Sequence, residues 1–250
     1  MEDPASVVSG PKLSLIIPAY KEGEHIYDNL KVIASALADI DCEMIPVNDG
    51  SPDSTGSEIV RAASEDPRIR PVSYPVNRGK GGAIKAGIEA STGDVVGFLD
   101  ADLDLSPEHV VAFFREMEKG GSDVVIGSKM HKDSKLEYPL ARKIFSIGYF
   151  CLLKILFGTG LKDTQTGVKL YKGDLLRSIC PLLKVEGYAF DIEMLMLAAS
   201  RGAHITEMPV KVEYTRDTSF GRIRFKDVWK MFTDTWGIWW DLRIAKRYGK

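Results

Sequence analysis

The sequence predicts an α/β fold, a mostly parallel central sheet flanked by helices, with an amphipathic helix near the end of the chain. Three observations predict it. Short apolar runs rich in β-branched residues alternate with segments whose apolar residues recur every three or four positions, the pattern of a parallel sheet covered by helices. Four of those runs in the first half end in polar clusters, and open α/β sheets bind ligands at that edge. All four tryptophans, Trp229, Trp236, Trp239 and Trp240, fall in the last helical segment.

Composition narrows the class. The 250 residues suit one large domain or two small ones, and 44% hydrophobic with 27% charged residues is ordinary for a globular protein. A net charge of −2 supplies no basic field for nucleic acid. Cys42, Cys151 and Cys180 lie far apart without zinc or redox spacing and read as buried thiols in a reducing compartment. The opening Met1-Glu2-Asp3-Pro4 has no signal-peptide character. The longest apolar stretch, Ile144 to Phe157, is broken by Lys154 and falls short of the roughly 20 residues of a spanning helix.

In order, residues 1–12 are polar and predict a disordered start. Leu13 to Ile17 is a buried strand stopped by Pro18, followed by the loop Ala19-Tyr20-Lys21-Glu22. Ile26, Leu30, Ile33 and Leu37 mark a helix from Glu24. Glu43 to Val47 is the second strand; it ends in Asn48-Asp49-Gly50-Ser51, and Ser51 or Asp53 caps the next helix. Ile69 to Tyr74 is the third strand, and Asn77-Arg78-Gly79-Lys80-Gly81-Gly82 opens a helix over Ala83 to Ala90. The fourth strand, from Val95, runs into Asp100-Ala101-Asp102. Ser106-Pro107-Glu108 begins a helix ending near Gly120, and Asp123 to Gly127 is the fifth strand. Beyond it the rhythm breaks. A polar loop covers Lys129 to Pro139, an apolar helix Arg142 to Phe157, a strand Asp163 to Tyr171, and a helix Phe190 to Ala199. A strand over Ile205 to Tyr214, a basic loop over Ser219 to Lys226 and a helix over Asp227 to Lys246 complete the chain. The simplest division is a disordered 1–12, a catalytic domain over 13–214 and a C-terminal extension over 215–250.

Four polar clusters therefore gather on one rim: Tyr20 with Glu22, Asn48 with Asp49, Asn77 to Lys80, and Asp100 with Asp102. A strand alternates its side chains, so positions 100 and 102 face one side. Paired carboxylates there are an acidic turn or a site for a hard cation such as Mg²⁺ or Mn²⁺, which keeps substrate phosphates among its ligands. The Gly-rich turn is a helix entry or a phosphate cradle. It is not a Walker A loop, because Gly follows Lys80, and it lacks the glycine spacing of the dinucleotide fingerprint.

Taken together, Ile17 to Glu22, Val47 to Ser51, Asn77 to Gly81 and Asp100-Ala101-Asp102 resemble the signature series of family 2 glycosyltransferases with the GT-A fold. Asp163 to Tyr171 and Phe190-Asp191-Ile192-Glu193 are most similar to the branch of dolichyl-phosphate glucosyltransferases and dolichyl-phosphate mannose synthases. The resemblance covers residues 13 to about 240 and implies the following roles. Pro18, Tyr20 and Glu22 hold the nucleotide base and ribose, and Asp49 reads the base. Lys80, with Arg78, meets the base or diphosphate. Asp100 and Ala101 lie against the nucleotide sugar, Asp100 and Asp102 hold the metal, and Asp104 stands where relatives sometimes have a third ligand. Asp102, Asp191 and Lys169 form the catalytic set. Asn48 departs from the usual pair of acids, which bears on uridine against guanosine.

The resemblance implies inversion at the anomeric carbon, with UDP-glucose as first-choice donor, GDP-mannose as the alternative and polyprenyl or dolichyl phosphate as acceptor. An acceptor phosphate has its second pKa near 6, so it needs cations rather than a general base. Arg142, Lys143, Lys169, Arg222 and Arg224 are the candidates, each equally readable as a plain surface cation. The tryptophan-rich helix reads as interfacial, with aromatic rings at headgroup depth, or else as a core or dimer helix. The location expected is peripheral, on the cytoplasmic face of a membrane. Competing readings are a sugar nucleotidyltransferase, which carries its Gly-rich loop after the first strand, and a non-catalytic membrane adaptor.

Overall fold

The computed structural model describes residues 12–134, 140–213 and 225–248, with side chains from 148 onward in the second segment and from 229 in the third. The elements run β1 (Leu13–Ala19), α1 (Ile26–Ala36), β2 (Cys42–Asp49), α2 (Thr55–Glu65), β3 (Val72–Tyr74), α3 (Gly79–Ala90), β4 (Val95–Leu99), α4 (Glu108–Glu118), β5 (Val124–Ser128), α5 (Leu140–Phe157), β6 (Val168–Lys172), α6 (Gly173–Ile179), α7 (Phe190–Ser200), β7 (Ile205–Pro209) and α8 (Phe225–Arg243). The strands form one sheet in the order β3-β2-β1-β4-β6-β5-β7. All pairings are parallel except those of β6, which runs antiparallel to both β4 and β5.

The pleat divides the core into two layers. Leu13, Leu15 and Ile17 of β1 pack with Ile26, Leu30 and Ile33 of α1, Ile59 of α2 and Phe113 of α4. Ile16, on the opposite face, packs with Ile84 of α3, Phe98 of β4 and the buried residues of α7. α7 is buried on every side from Phe190 to Ala198, its carboxylates Asp191 and Glu193 included. It lies against both α6 and α8.

Several boundaries differ from the sequence reading. β1 continues through Pro18 to Ala19, still in register with Val47 and Asn48 of β2, at a point where its pairing with β4 has already ended. A proline lacking its N–H is tolerated where a partner is missing. β3 is short, with Ile69 making only an isolated bridge to Met44. The strand expected from Asp163 begins at Val168, and α6 was not anticipated. Among the described residues no helix is long and apolar enough to cross a membrane. Cys42 and Cys180 are buried as expected, but Cys151 is exposed on α5. Residues 1–11 and most of the basic loop before α8 lie outside the described residues.

At the sheet edge remote from the rim, Glu43 holds three segments together. Its carboxylate accepts hydrogen bonds from the Ser14 hydroxyl (2.6 Å), the Thr92 amide (2.8 Å) and the Thr92 hydroxyl (2.8 Å), and it pairs with Arg70. Burial works against its charge, but these donors outweigh burial and hold the carboxyl below its ordinary range. Glu43→Ala is expected to cost about 3 kcal/mol, because it leaves buried donors unmatched. Urea unfolding at pH 7 measures that difference. A lowered carboxyl pKa stabilises above the ordinary range and ceases to do so in acid, so the gap between variant and wild type closes as pH drops through that depressed value.

Candidate active site

The rim collects the exits of β1 to β4. After β1, Tyr20 is exposed and Lys21 adopts a left-handed conformation (φ 59°) with its ammonium 5.4 Å from the Tyr20 ring. Glu22 is buried; its amide donates to the Thr55 hydroxyl (2.9 Å) and its carbonyl receives the Ile26 amide (2.8 Å) that starts α1. Asp53 ties this loop to the next one. It accepts from the Gly23 amide (3.2 Å) and from both the amide (3.2 Å) and hydroxyl (2.6 Å) of Thr55, so Asp53, and not Ser51, serves the start of α2.

After β2, both Asp49 oxygens are engaged by the chain. Oδ1 accepts from the Tyr74 hydroxyl (2.8 Å) and the Arg78 amide (2.7 Å), and Oδ2 from the Asn77 amide group (2.9 Å). Asp49 thus shapes the turn that carries Arg78, whose guanidinium lies 4.5 Å from the Tyr74 ring. Asn48 uses its side chain on the Ser51 amide (3.1 Å) and the Ser73 hydroxyl (3.1 Å). The Gly-rich turn is itself packed against protein. The Gly81 amide donates to the Glu186 carbonyl (3.0 Å), and a Cβ on Gly81 would stand 2.7 Å from the Val185 carbonyl oxygen. Close backbone approach to the 185–187 segment accounts for that glycine.

β4 ends at Leu99, before either carboxylate of the expected alternating Asp100–Asp102 pair, and both are presented by the turn that follows. The Lys80 ammonium stands 2.6 Å from Asp100 Oδ1, a buried oxygen, and forms an ion pair with it. Burial disfavours the Lys80 charge, but Asp100 and Asp191 outweigh it and raise its pKa. Burial first, then the charges of Asp100 and Asp104, push the Asp102 carboxyl up to about 6. Ala101 is buried and its carbonyl accepts from the Asn29 side chain (2.7 Å).

Two neighbouring carboxylates, one crowded enough to have its pKa raised and the other balanced so far by a single ammonium, fit a divalent cation. Among the described residues no group of three or more His, Cys, Asp or Glu converges into a cage. An ion held by Asp100 and Asp102 would draw its other ligands from phosphate and water, as Mg²⁺ and Mn²⁺ commonly do.

Because β6 runs antiparallel, its entrance, not its exit, reaches this rim. The Asp100 amide donates to the Gly167 carbonyl (3.1 Å). Asp163 organises the approach, accepting from the Lys129 amide (2.9 Å), the Gln165 amide (3.1 Å) and the Thr166 hydroxyl (2.8 Å). Sequence reasoning passed over Lys129. Its place at the exit of β5, the same kind of position as the other clusters, was the available signal.

Behind the rim, Lys169 is fully buried and donates to Asp191 Oδ1 (2.6 Å) and the Thr166 carbonyl (2.6 Å). It was expected as a cation open to a lipid phosphate; buried and committed to Asp191, it is no surface cation. Glu193 is also buried, but it accepts from the Lys184 and Val185 amides (3.0 and 2.9 Å) and the Tyr248 hydroxyl (2.6 Å), clamping a loop and the C-terminal segment. The side chains of Arg142, Lys143, Arg222 and Arg224 lie outside the described residues.

The remaining feature is the outer face of α8. Trp229, Phe232, Trp236 and Trp240 are exposed at helical spacing, while Ile238 is buried and Trp239 turns partly inward. α5 packs alongside through a Tyr149–Thr235 hydroxyl contact (3.0 Å) and an edge-on Tyr149–Phe232 pair, leaving Ile155 exposed.

The chain is 32% identical over 215 residues to the dolichyl-phosphate beta-glucosyltransferase ALG5C of Trichomonas vaginalis, covering 79% of this chain and 63% of that protein, less than two thirds of its length. It is 31% identical over 200 residues to the undecaprenyl-phosphate mannosyltransferase of Micrococcus luteus, covering 78% of this chain and 81% of that one. The structure matches glucosyl-3-phosphoglycerate synthase from Mycobacterium tuberculosis, crystallised with Mn²⁺, UDP and glucosyl-3-phosphoglycerate. That match has a TM-score of 0.69 over 93% of this chain and 80% of that one, at 22% identity, and it establishes a shared GT-A-like architecture. The glycosyl transferase family 2 model matches residues 14–179, from the start of the sheet to the end of α6. A match of that extent makes this chain an enzyme of glycosyl transferase family 2.

Proposed function

We propose that the protein transfers a hexose, with inversion, from a nucleoside-diphosphate sugar to a polyprenyl phosphate at the cytoplasmic surface of a membrane. The observation that carries this reading is the Asp100–Asp102 carboxylate pair, with Asp100 ion-paired to Lys80, on the sheet rim. In the reaction an acceptor phosphate oxygen forms the new bond to the anomeric carbon, the bond from that carbon to the diphosphate breaks, and the nucleoside diphosphate leaves. Mg²⁺ or Mn²⁺ on the two aspartates would neutralise the departing diphosphate. Lys80 adds a second positive charge, and Arg78 and Tyr74 offer a flat, cationic surface to the nucleoside. The acceptor is already largely dianionic near neutrality, so no residue has to take a proton from it. Lys129, whose ammonium stands 3.8 Å from Asp163 Oδ2 near the entrance of β6, is the cation we assign to its charge.

Glucose from UDP-glucose is the first choice, on the likeness of the 163–171 stretch to the glucosyl branch; mannose from GDP-mannose is second, supported by the Micrococcus relative. Purified protein with Mn²⁺, polyprenyl phosphate and each labelled donor tests this, and a lipid-linked hexose from UDP-glucose is expected. Product from GDP-mannose alone selects the second donor. Transfer only to an acceptor without a lipid phosphate would sink the proposal.

The aromatic stripe of α8 supports the surface location, since exposed Trp and Phe with nearby Lys154, Lys230 and Arg243 suit the headgroup region. Trp236→Ser with Trp240→Ser is expected to weaken co-sedimentation with anionic vesicles by about tenfold or more. Transfer to a short, water-soluble polyprenyl phosphate should stay near wild type. Unchanged vesicle binding would assign the stripe to protein contact.

A further inference from the structure

Glu193, in the first turn of α7, is a fully buried carboxylate that the proposed chemistry leaves without a part. Burying a carboxylate is costly unless donors meet it, and three do. The Lys184 and Val185 amides donate to it at 3.0 and 2.9 Å, and the Tyr248 hydroxyl at 2.6 Å. Tyr248 arrives by a sharp reversal after α8. Lys246 there is left-handed (φ 49°), and the Arg247 amide donates back to the Asp241 carbonyl (2.9 Å). A second tie joins the same partners: the Lys184 ammonium stands 2.9 Å from Asp241 Oδ2 and 4.5 Å from the centre of the Tyr248 ring.

The other side of the clamped segment is the Gly-rich turn. The Gly81 amide donates to the Glu186 carbonyl (3.0 Å), and the Lys85 ammonium donates to the Leu183 carbonyl (3.1 Å). A Cβ would stand 3.0 Å from the Glu186 carbonyl oxygen at Gly79, and 2.7 Å from the Val185 carbonyl oxygen at Gly81. Segment and turn therefore meet backbone to backbone, and a shift of one has to move the other. Arg78 and Gly79 on one side, and Glu186 and Gly187 on the other, line an open cavity of about 460 Å³.

We propose that Glu193 is a positioning residue for the sugar donor: held with Tyr248, it fixes the 184–187 segment, and through that segment the turn that presents Arg78 and Lys80. Glu193 touches no substrate in this account. The inference rests on the donor-binding reading above. Loosening the clamp moves the donor side of the site and leaves the acceptor side where it is, so the loss falls on one substrate.

Three variants test it. Tyr248→Phe removes one hydroxyl and leaves both amides their acceptor, so Tm is expected to fall by no more than a few degrees. The KM for the nucleotide sugar should rise about fivefold, part of the worth of one charge-assisted hydrogen bond, with the KM for polyprenyl phosphate unchanged. Calorimetry with UDP and with GDP in Mn²⁺ should show the preferred diphosphate bound more weakly by the same factor. Glu193→Leu deprives all three donors and should bind the diphosphate more weakly still; if it does not fold, Tyr248→Phe decides alone. Glu193→Gln still accepts from the amides and can donate to the Tyr248 oxygen, so its donor KM should lie within about twofold of wild type. A merely structural clamp predicts that Tyr248→Phe lowers Tm while diphosphate affinity and both KM values, measured well below Tm, stay at wild type; that result overturns the proposal. An equal rise in both KM values overturns it too, as does a folded Glu193→Gln that binds the diphosphate more weakly than Tyr248→Phe does. If the wild type binds neither diphosphate with Mn²⁺, the donor reading itself falls and this inference with it.

Discussion

Asp102→Asn is expected to lower sugar transfer by about a thousandfold while making the metal-free protein more stable. The loss follows from removing one of the two carboxylates that, in the proposed reaction, hold the cation. The gain follows from the pKa. Burial and the neighbouring Asp100 and Asp104 push the Asp102 carboxyl up to about 6, above its unfolded value. A raised carboxyl destabilises the folded chain when ionised, and that cost is fully present above pH 6 and absent below the unfolded pKa. At pH 7.5 the neutral amide should therefore recover up to about 3 kcal/mol. By pH 4 the two proteins should unfold at the same temperature. The same proton competes with the ion, so wild-type Mn²⁺ affinity should weaken about tenfold between pH 7 and pH 5, and calorimetry at the two pH values measures it. A variant that loses activity together with stability at pH 7.5 would assign Asp102 to the fold.

Gly167→Ala should be nearly as damaging, although position 167 bears no functional group. A Cβ there would lie 2.2 Å from Asp100 Oδ2 and 2.6 Å from its Cγ, far inside contact distance. The short Asp100 side chain has to swing away, and the carboxylate leaves the position next to Lys80. Transfer is expected to fall by about a hundredfold and Mn²⁺ binding to weaken in parallel, as for a displaced electrostatic group. Stability should change by about 1 kcal/mol or less, because a partly exposed side chain can move into solvent. Full activity with Asp100 unmoved would show that the 166–167 backbone yields instead.

The gathering of the polar clusters on one rim was legible in the sequence because each cluster follows a strand exit, and parallel strands bring their exits together. Tyr20, Asp49, Lys80 and Asp100 all stand on that edge. Less legible was what each side chain touches. Asp49 looks like a base reader from its motif, yet it holds the Asn77–Arg78 turn. Lys169 looks like a free cation because an alternating strand gives no sign of which face is covered; α7 covers it. The reversal of β6 was illegible for a similar reason, since apolar alternation carries no direction. Gly81 and Gly167 could be read only as turn residues, because the 185–187 segment and the Asp100 carboxylate that require them are distant in sequence.

That reversal also bears on how the chain reaches its native state. β4 has a parallel partner, β1, available early, but its other edge waits for β6, with Leu99 pairing Val168 only after α4, β5 and α5 have been made. Closing so long a loop is slow, and until it closes an apolar strand edge lies bare. The carboxylate turn at the end of β4 is therefore among the last parts to acquire its final surroundings, and refolding should restore helical content well before it restores catalysis.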